Sequence, residues 1–115
     1  MPHLAPAPAR RRNQPMPAPE RELEEVRLAT GRLLDSASSL SDADARGASL
    51  LPGWSRGHVL THLARNADAQ RRMISGAVTG QRVQQYPGGA RGRAREIEDG
   101  AHRPAAELLA DLRAA

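Results

Sequence analysis

From Glu20 onward the apolar positions recur at alternating spacings of three and four: Leu23, Val26, Thr30, Leu33, Ala37 and Leu40, with Leu34 widening the stripe. That period predicts an amphipathic helix of about 20 residues, near 20–40. Glu20, Glu22, Glu24 and Glu25 crowd its first turns, where the helix dipole favours acids. The segment Ser41–Gly47 reads as a break with a hydroxyl cap, around a short helical turn. Leu50-Leu-Pro-Gly-Trp54 follows as an apolar strap that turns sharply and drops Trp54 against the core. A second long helix, near 55–78, starts under a Ser55 cap and stops before Gly80. On its wheel Val59, Leu60, Leu63, Ala67, Ile74 and Ala77 share one arc of about 100°, with His62 within about 60° of the arc's edge. A third helix near 104–115 has Pro104 at its first position and Leu108, Leu109 and Leu112 on its apolar face. Between them, 80–102 reads as an irregular, partly helical connection: a loop over 79–89 closed by Pro87, Gly88 and Gly89, then a helical stretch over Ala90–Ala101 with Ile97 as its main anchor.

The first nineteen residues break from this pattern. Six prolines in that stretch (Pro2, Pro6, Pro8, Pro15, Pro17 and Pro19) cannot sustain a helix, so residues 1–19 are expected to be a disordered Pro/Ala/Arg-rich tail and residues 20–115 the folded domain. At 115 residues there is room for one core. Hydrophobic residues are 39% and aromatics 2%, without Phe, so the core is built from Leu, Val, Ile, Met and Ala, which favours helices over strands. The fold class expected is all-α: an incomplete up-and-down bundle of three long helices that leaves one apolar trough uncovered.

Charge narrows the partners. All 17 basic residues are Arg, and the net charge is +4. Arg10, Arg11 and Arg12 put +3 on the tail, while the other 14 Arg against 13 acids leave +1 on the body. A nearly neutral body without basic–aromatic interleaving speaks against nucleic acid as a partner; Arg10 to Arg12 remain as a basic arm. No run approaches the ~18 apolar residues of a membrane span, and the N-terminus lacks a signal-peptide core, so the compartment expected is the cytoplasm. With 0 Cys there is neither thiolate nucleophile nor cysteine-ligated metal.

The densest polar cluster is His58-x-x-x-His62-x-x-x-Asn66, whose i, i+4, i+8 spacing places three side chains in one ascending row. A histidine pair at that spacing can chelate a divalent ion, which then needs a third ligand from another element. His102, Glu98 and Asp99 are candidates, and spacing selects none of them. Arg65, Arg71 and Arg72 read as the wet face of the helix, with Arg65 close enough to the row to clamp a substrate carboxylate. Ser55 and Ser75 lack a triad partner at any recognisable spacing.

The block Leu51-Pro-Gly-Trp-Ser-Arg-Gly-His-Val-Leu-Thr-His-Leu-Ala-Arg-Asn-Ala-Asp68 resembles the second-helix signature of the mycothiol-dependent maleylpyruvate isomerase family, in its N-terminal metal-binding domain of the DinB-like four-helix type. Gly76-Ala-Val-Thr-Gly80, Tyr86-Pro-Gly-Gly89, Glu96-Ile-Glu98 and Arg103-Pro-Ala-Ala-Glu-Leu108 extend the resemblance over roughly 20–115. It implies a DinB-like bundle in which His62 ligates a divalent metal, usually zinc. From their place in the row, His58 and Asn66 are candidates to orient that ligand, and His58 is equally a candidate capping or packing residue. It also implies mycothiol as the thiol cofactor. The family completes its site with a Glu and a His one turn apart on a fourth helix, and longer members add a small C-terminal domain; neither has a counterpart here. The expectation is therefore a truncated member with an incomplete metal site. In complete relatives the metal-held thiol adds to the double bond of maleylpyruvate, allows rotation and leaves. The alternative is a noncatalytic helical interaction module that completes its bundle as a homodimer or with a separate chain. Zinc binding lost on His62→Ala favours the first reading and a stable metal-free dimer the second.

Overall fold

A computed structural model describes residues 18–115, so Arg10–Arg12 and nearly all of the expected tail lie outside the described residues. Five helices follow one another: α1 Ala18–Ser38, α2 Asp42–Arg46, α3 Arg56–Thr79, α4 Gly89–Ala101 and α5 Ala105–Ala114. Among the described residues no strand ladder forms; one antiparallel bridge pairs Ala48 with Ser55. The fold is all-α, as expected. The chain divides into two units, the first reaching Arg32 and the second running from Leu33 to Ala115, and each is taken by itself.

In the first unit α1 begins at Ala18, so Ala18 and Pro19 are helical rather than part of the tail. Proline is tolerated in a first turn, where its missing N–H has no intrahelical partner to lose. Leu23, Val26 and Leu28 of this stretch are exposed.

The second unit is organised around α3. Helices α4 and α5 both pack on it and α2 meets its start. Ser41 opens α2 through a reciprocal capping box: its hydroxyl accepts from the Asp44 N–H, and the Asp44 carboxylate accepts from the Ser41 N–H, each at 3.0 Å. The strap Leu50–Trp54 turns at Gly53, whose φ of 80° suits a residue without Cβ. Ala37, Ala45, Leu60 and Leu108 form the core, with Leu40, Ala105, Leu109 and Leu112 packed around it.

Two expectations are refined. The stretch Ala90–Ala101, expected to be helical within an otherwise irregular connection, is a regular helix of 13 residues that starts one residue earlier, α4. Its glycines are placed for contact rather than disruption. Gly88 and Gly89 turn the chain in at φ 78° and 65°, Gly92 lets the Pro87 carbonyl close against the helix, and Gly100 accepts the Thr61 side chain. The buried face of α3 is also different from the predicted arc: Gly57, His58, Leu60, Thr61, Ala64 and Ala69 are buried, whereas Ile74 and Ala77 are exposed. Small residues face α4 and α5 because those helices approach closely; a Cβ at Gly57 would collide with the Ala101 carbonyl. Val59 and Leu63 instead line an apolar groove with Leu33, Ala37, Leu40 and Leu60.

Asp111 on α5 ties the second unit together. It accepts from Arg65 on α3 and, at 2.8 Å, from Arg103. Arg65 also pairs with Asp68 at 3.1 Å. The arginine expected to clamp a substrate is thus committed to the scaffold. Arg71 and Arg72 make exposed hydrogen bonds to the carbonyls of Ala114 and Gln85.

Candidate functional site

Ser55 starts α3, and its hydroxyl accepts from the His58 N–H at 3.2 Å. The N3 residue that completes this capping box is a histidine: the Ser55 N–H donates to His58 Nδ1 at 3.1 Å, and Ser55 Oγ lies 2.7 Å from the same nitrogen. A ring nitrogen that accepts a backbone N–H carries no proton, so in the neutral ring the proton sits on Nε2. From there His58 donates to Glu98 Oε2 at 2.8 Å. The second oxygen of Glu98 meets His102 Nε2 at 2.9 Å, across one turn of α4.

The His58 ring is fixed from several sides. It is buried, stacks on Trp54 at 6.2 Å and 14°, and meets the His102 ring edge-on at 5.4 Å. Glu98 and His102 are exposed. Hydrogen bonds first from His102 and then from His58 hold the Glu98 carboxyl below the usual glutamate range, against the opposing effect of burial. The three residues can offer ligand atoms all within 4.8 Å of one another.

His62, one turn along α3, does not join them. Its Nδ1 accepts from Arg93 at 3.0 Å, and its ring lies tilted against Trp54 at 5.5 Å. Partial burial, and after it the Arg93 charge, pushes the His62 ring below the usual histidine range and favours the neutral form. Asn66 accepts from the Tyr86 hydroxyl at 3.1 Å, and the Arg93 guanidinium sits over the Tyr86 ring at 5.6 Å. The row of three therefore divides: His58 faces Glu98, His62 faces Arg93, and Asn66 reaches the 80–89 loop.

Of the three residues that spacing could not choose between, the fold selects Glu98 and His102 and leaves Asp99 out of the cluster. Glu98-x-x-x-His102 is the same i, i+4 pattern that drew attention to His58 and His62, and it is the signal that could have found the pair. A cleft of about 500 Å³ beside Met73, Ala77, Gln81 and Val83 lies about three turns farther along α3 and holds none of these groups.

Among the described residues no helix is long and apolar enough to cross a membrane. The family model described as the mycothiol maleylpyruvate isomerase N-terminal domain matches residues 26–115. A crystal structure of the mycothiol-dependent maleylpyruvate isomerase aligns with a TM-score of 0.77 and 29% identity, over 83% of this chain and 39% of that one. A histidine-to-alanine mutant of that isomerase aligns equally well, at 28% identity. The chain thus spans well under half the length of the isomerase it matches. No curated protein sequence matches it.

Proposed function

Because the chain belongs to the mycothiol maleylpyruvate isomerase N-terminal domain family, we propose that residues 20–115 form the metal-binding helical domain of a mycothiol-dependent isomerase-like protein of the cytoplasm. The match over residues 26–115 carries this reading. In it, His62 is the zinc ligand on α3, with His58 and Asn66 as neighbours that orient that stretch of the helix, and mycothiol is the small-molecule thiol that the metal binds and activates. A zinc-held thiol loses its proton near neutral pH, which is the chemistry a thiol-addition isomerase needs.

The donor set limits what this chain does by itself. His62 belongs to no group of three ligands among the described residues. A catalytic zinc takes three protein ligands, so one imidazole alone does not make the site. What the chain's own residues support is narrower. The neutral His62 ring offers a lone pair, Arg93 occupies Nδ1 until a stronger acid displaces it, and the Asn66–Tyr86 bond anchors the loop before α4 on the same side. With mycothiol present, its thiolate is the second donor beside the His62 imidazole, so this chain would hold zinc weakly and only with the thiol.

The test is zinc binding with mycothiol present, measured by calorimetry in a His102→Ala background, which disables the neighbouring His–Glu–His cluster. Binding is expected to disappear on His62→Ala. Binding that survives this substitution refutes the assignment. A stable metal-free dimer seen by light scattering, with no thiol or zinc binding, would instead support a noncatalytic helical module, for which the groove lined by Val59, Leu60 and Leu63 is the contact surface.

A further inference from the structure

We propose that His58, Glu98 and His102 form a divalent transition-metal site that joins α3 to α4, separate from His62 and independent of the reading above. Three observations carry it. The donors come from α3, from α4 and from the residue that caps the end of α4, and they already converge, with all their ligand atoms within 4.8 Å of one another. Two imidazoles and one carboxylate are a donor set for zinc and its neighbours in the first transition row, leaving a coordination position for water. The site is also preorganised. His58 is held by the Ser55 hydroxyl beside one nitrogen and by Trp54 across its face, so little ring freedom is lost on ligation, while the exposed Glu98 and His102 leave the ion a path in from solvent.

Ligation requires the lone pairs of both Nε2 atoms, which now carry the protons that bond to Glu98. His102 is exposed at its other nitrogen and moves its proton there, where water accepts it. His58 moves its proton to Nδ1 and donates to Ser55 Oγ, 2.7 Å away, giving up the bond from the Ser55 N–H. No net proton is released from neutral rings. The Ser55 hydroxyl is therefore the group that lets His58 exchange one tautomer for the other.

The experiment uses the full, untagged chain with Zn²⁺ alone, by titration calorimetry and by the shift in thermal midpoint. Wild type is expected to bind one equivalent saturably and to unfold at higher temperature in its presence, because the ion binds the native arrangement. His102→Ala and Glu98→Gln, both at exposed positions, are expected to weaken binding at least tenfold while retaining wild-type circular dichroism. His3→Ala is expected to bind within twofold of wild type. The proposal is overturned if wild type shows no saturable binding, or if His102→Ala and Glu98→Gln both bind within twofold of it. The variant that decides here is His102→Ala, and the one that decides the family reading is His62→Ala, so either can fail alone.

Discussion

Asp111→Ala removes the acceptor that two guanidinium groups share. Its carboxylate takes hydrogen bonds from Arg65 and Arg103, and its side chain is only 17% exposed, against 26% and 27% for the two arginines. A hydrogen bond to a charged partner contributes about 1.5–3 kcal/mol. The lower end applies, because both arginines keep some water and Arg65 keeps Asp68. The expected cost is therefore about 2–3 kcal/mol in total. In a domain of this size each kcal/mol moves Tm by roughly 4–8 °C, so a fall on the order of 10–20 °C follows, read by far-UV circular dichroism with urea titration as a check. A double-mutant cycle with Arg65→Ala should return a coupling of about 1 kcal/mol or more. A drop smaller than about 3 °C for Asp111→Ala would show that α5 is held by Leu108 and its apolar neighbours without help from the carboxylate.

Gly57→Ala should cost about 2–3 kcal/mol by urea unfolding, since the added methyl meets the Ala101 carbonyl and α4 must move away; unchanged stability would contradict that close approach. Asp44 is held below the usual aspartate range by the Ser41 N–H and then the Ser41 hydroxyl, with Arg56 adding a little and burial opposing. A carboxyl depressed in the fold stabilises it fully at neutral pH and loses that contribution as pH falls through the lowered value, so Asp44→Asn should flatten the stability curve below about pH 4. Arg93→Gln should raise zinc affinity at His62 about tenfold by calorimetry in the His102→Ala background, because a charged donor no longer competes for Nδ1.

Much of the helical layout was legible because caps are local. Ser41 and Ser55 announce α2 and α3, and each makes its bond within three residues. Helix α4 was legible over Ala90–Ala101, but its regularity was masked by its glycines, which resemble breakers until the opposing surfaces of Pro87 and Thr61 are in place. The buried face of α3 was misjudged for the same reason. Hydrophobicity marks Ile74 and Ala77 as core, whereas close helix approach favours Gly57, Thr61 and Ala64. The cluster of His58 with Glu98 spans 40 residues, and no spacing rule reaches that far. Arg65 was legible as a charge near the histidines, but its partner Asp111 depends on how α5 folds back.

Trp54 is the chain's single tryptophan, and its indole lies against both His58 and His62. A protonated or metal-bound imidazole beside an indole alters its emission. The protein therefore carries an intrinsic fluorophore at the junction of the two histidine environments. Capture of an ion by either ring should be visible in emission without any label, and comparing His58 and His62 variants would assign the signal to one or the other.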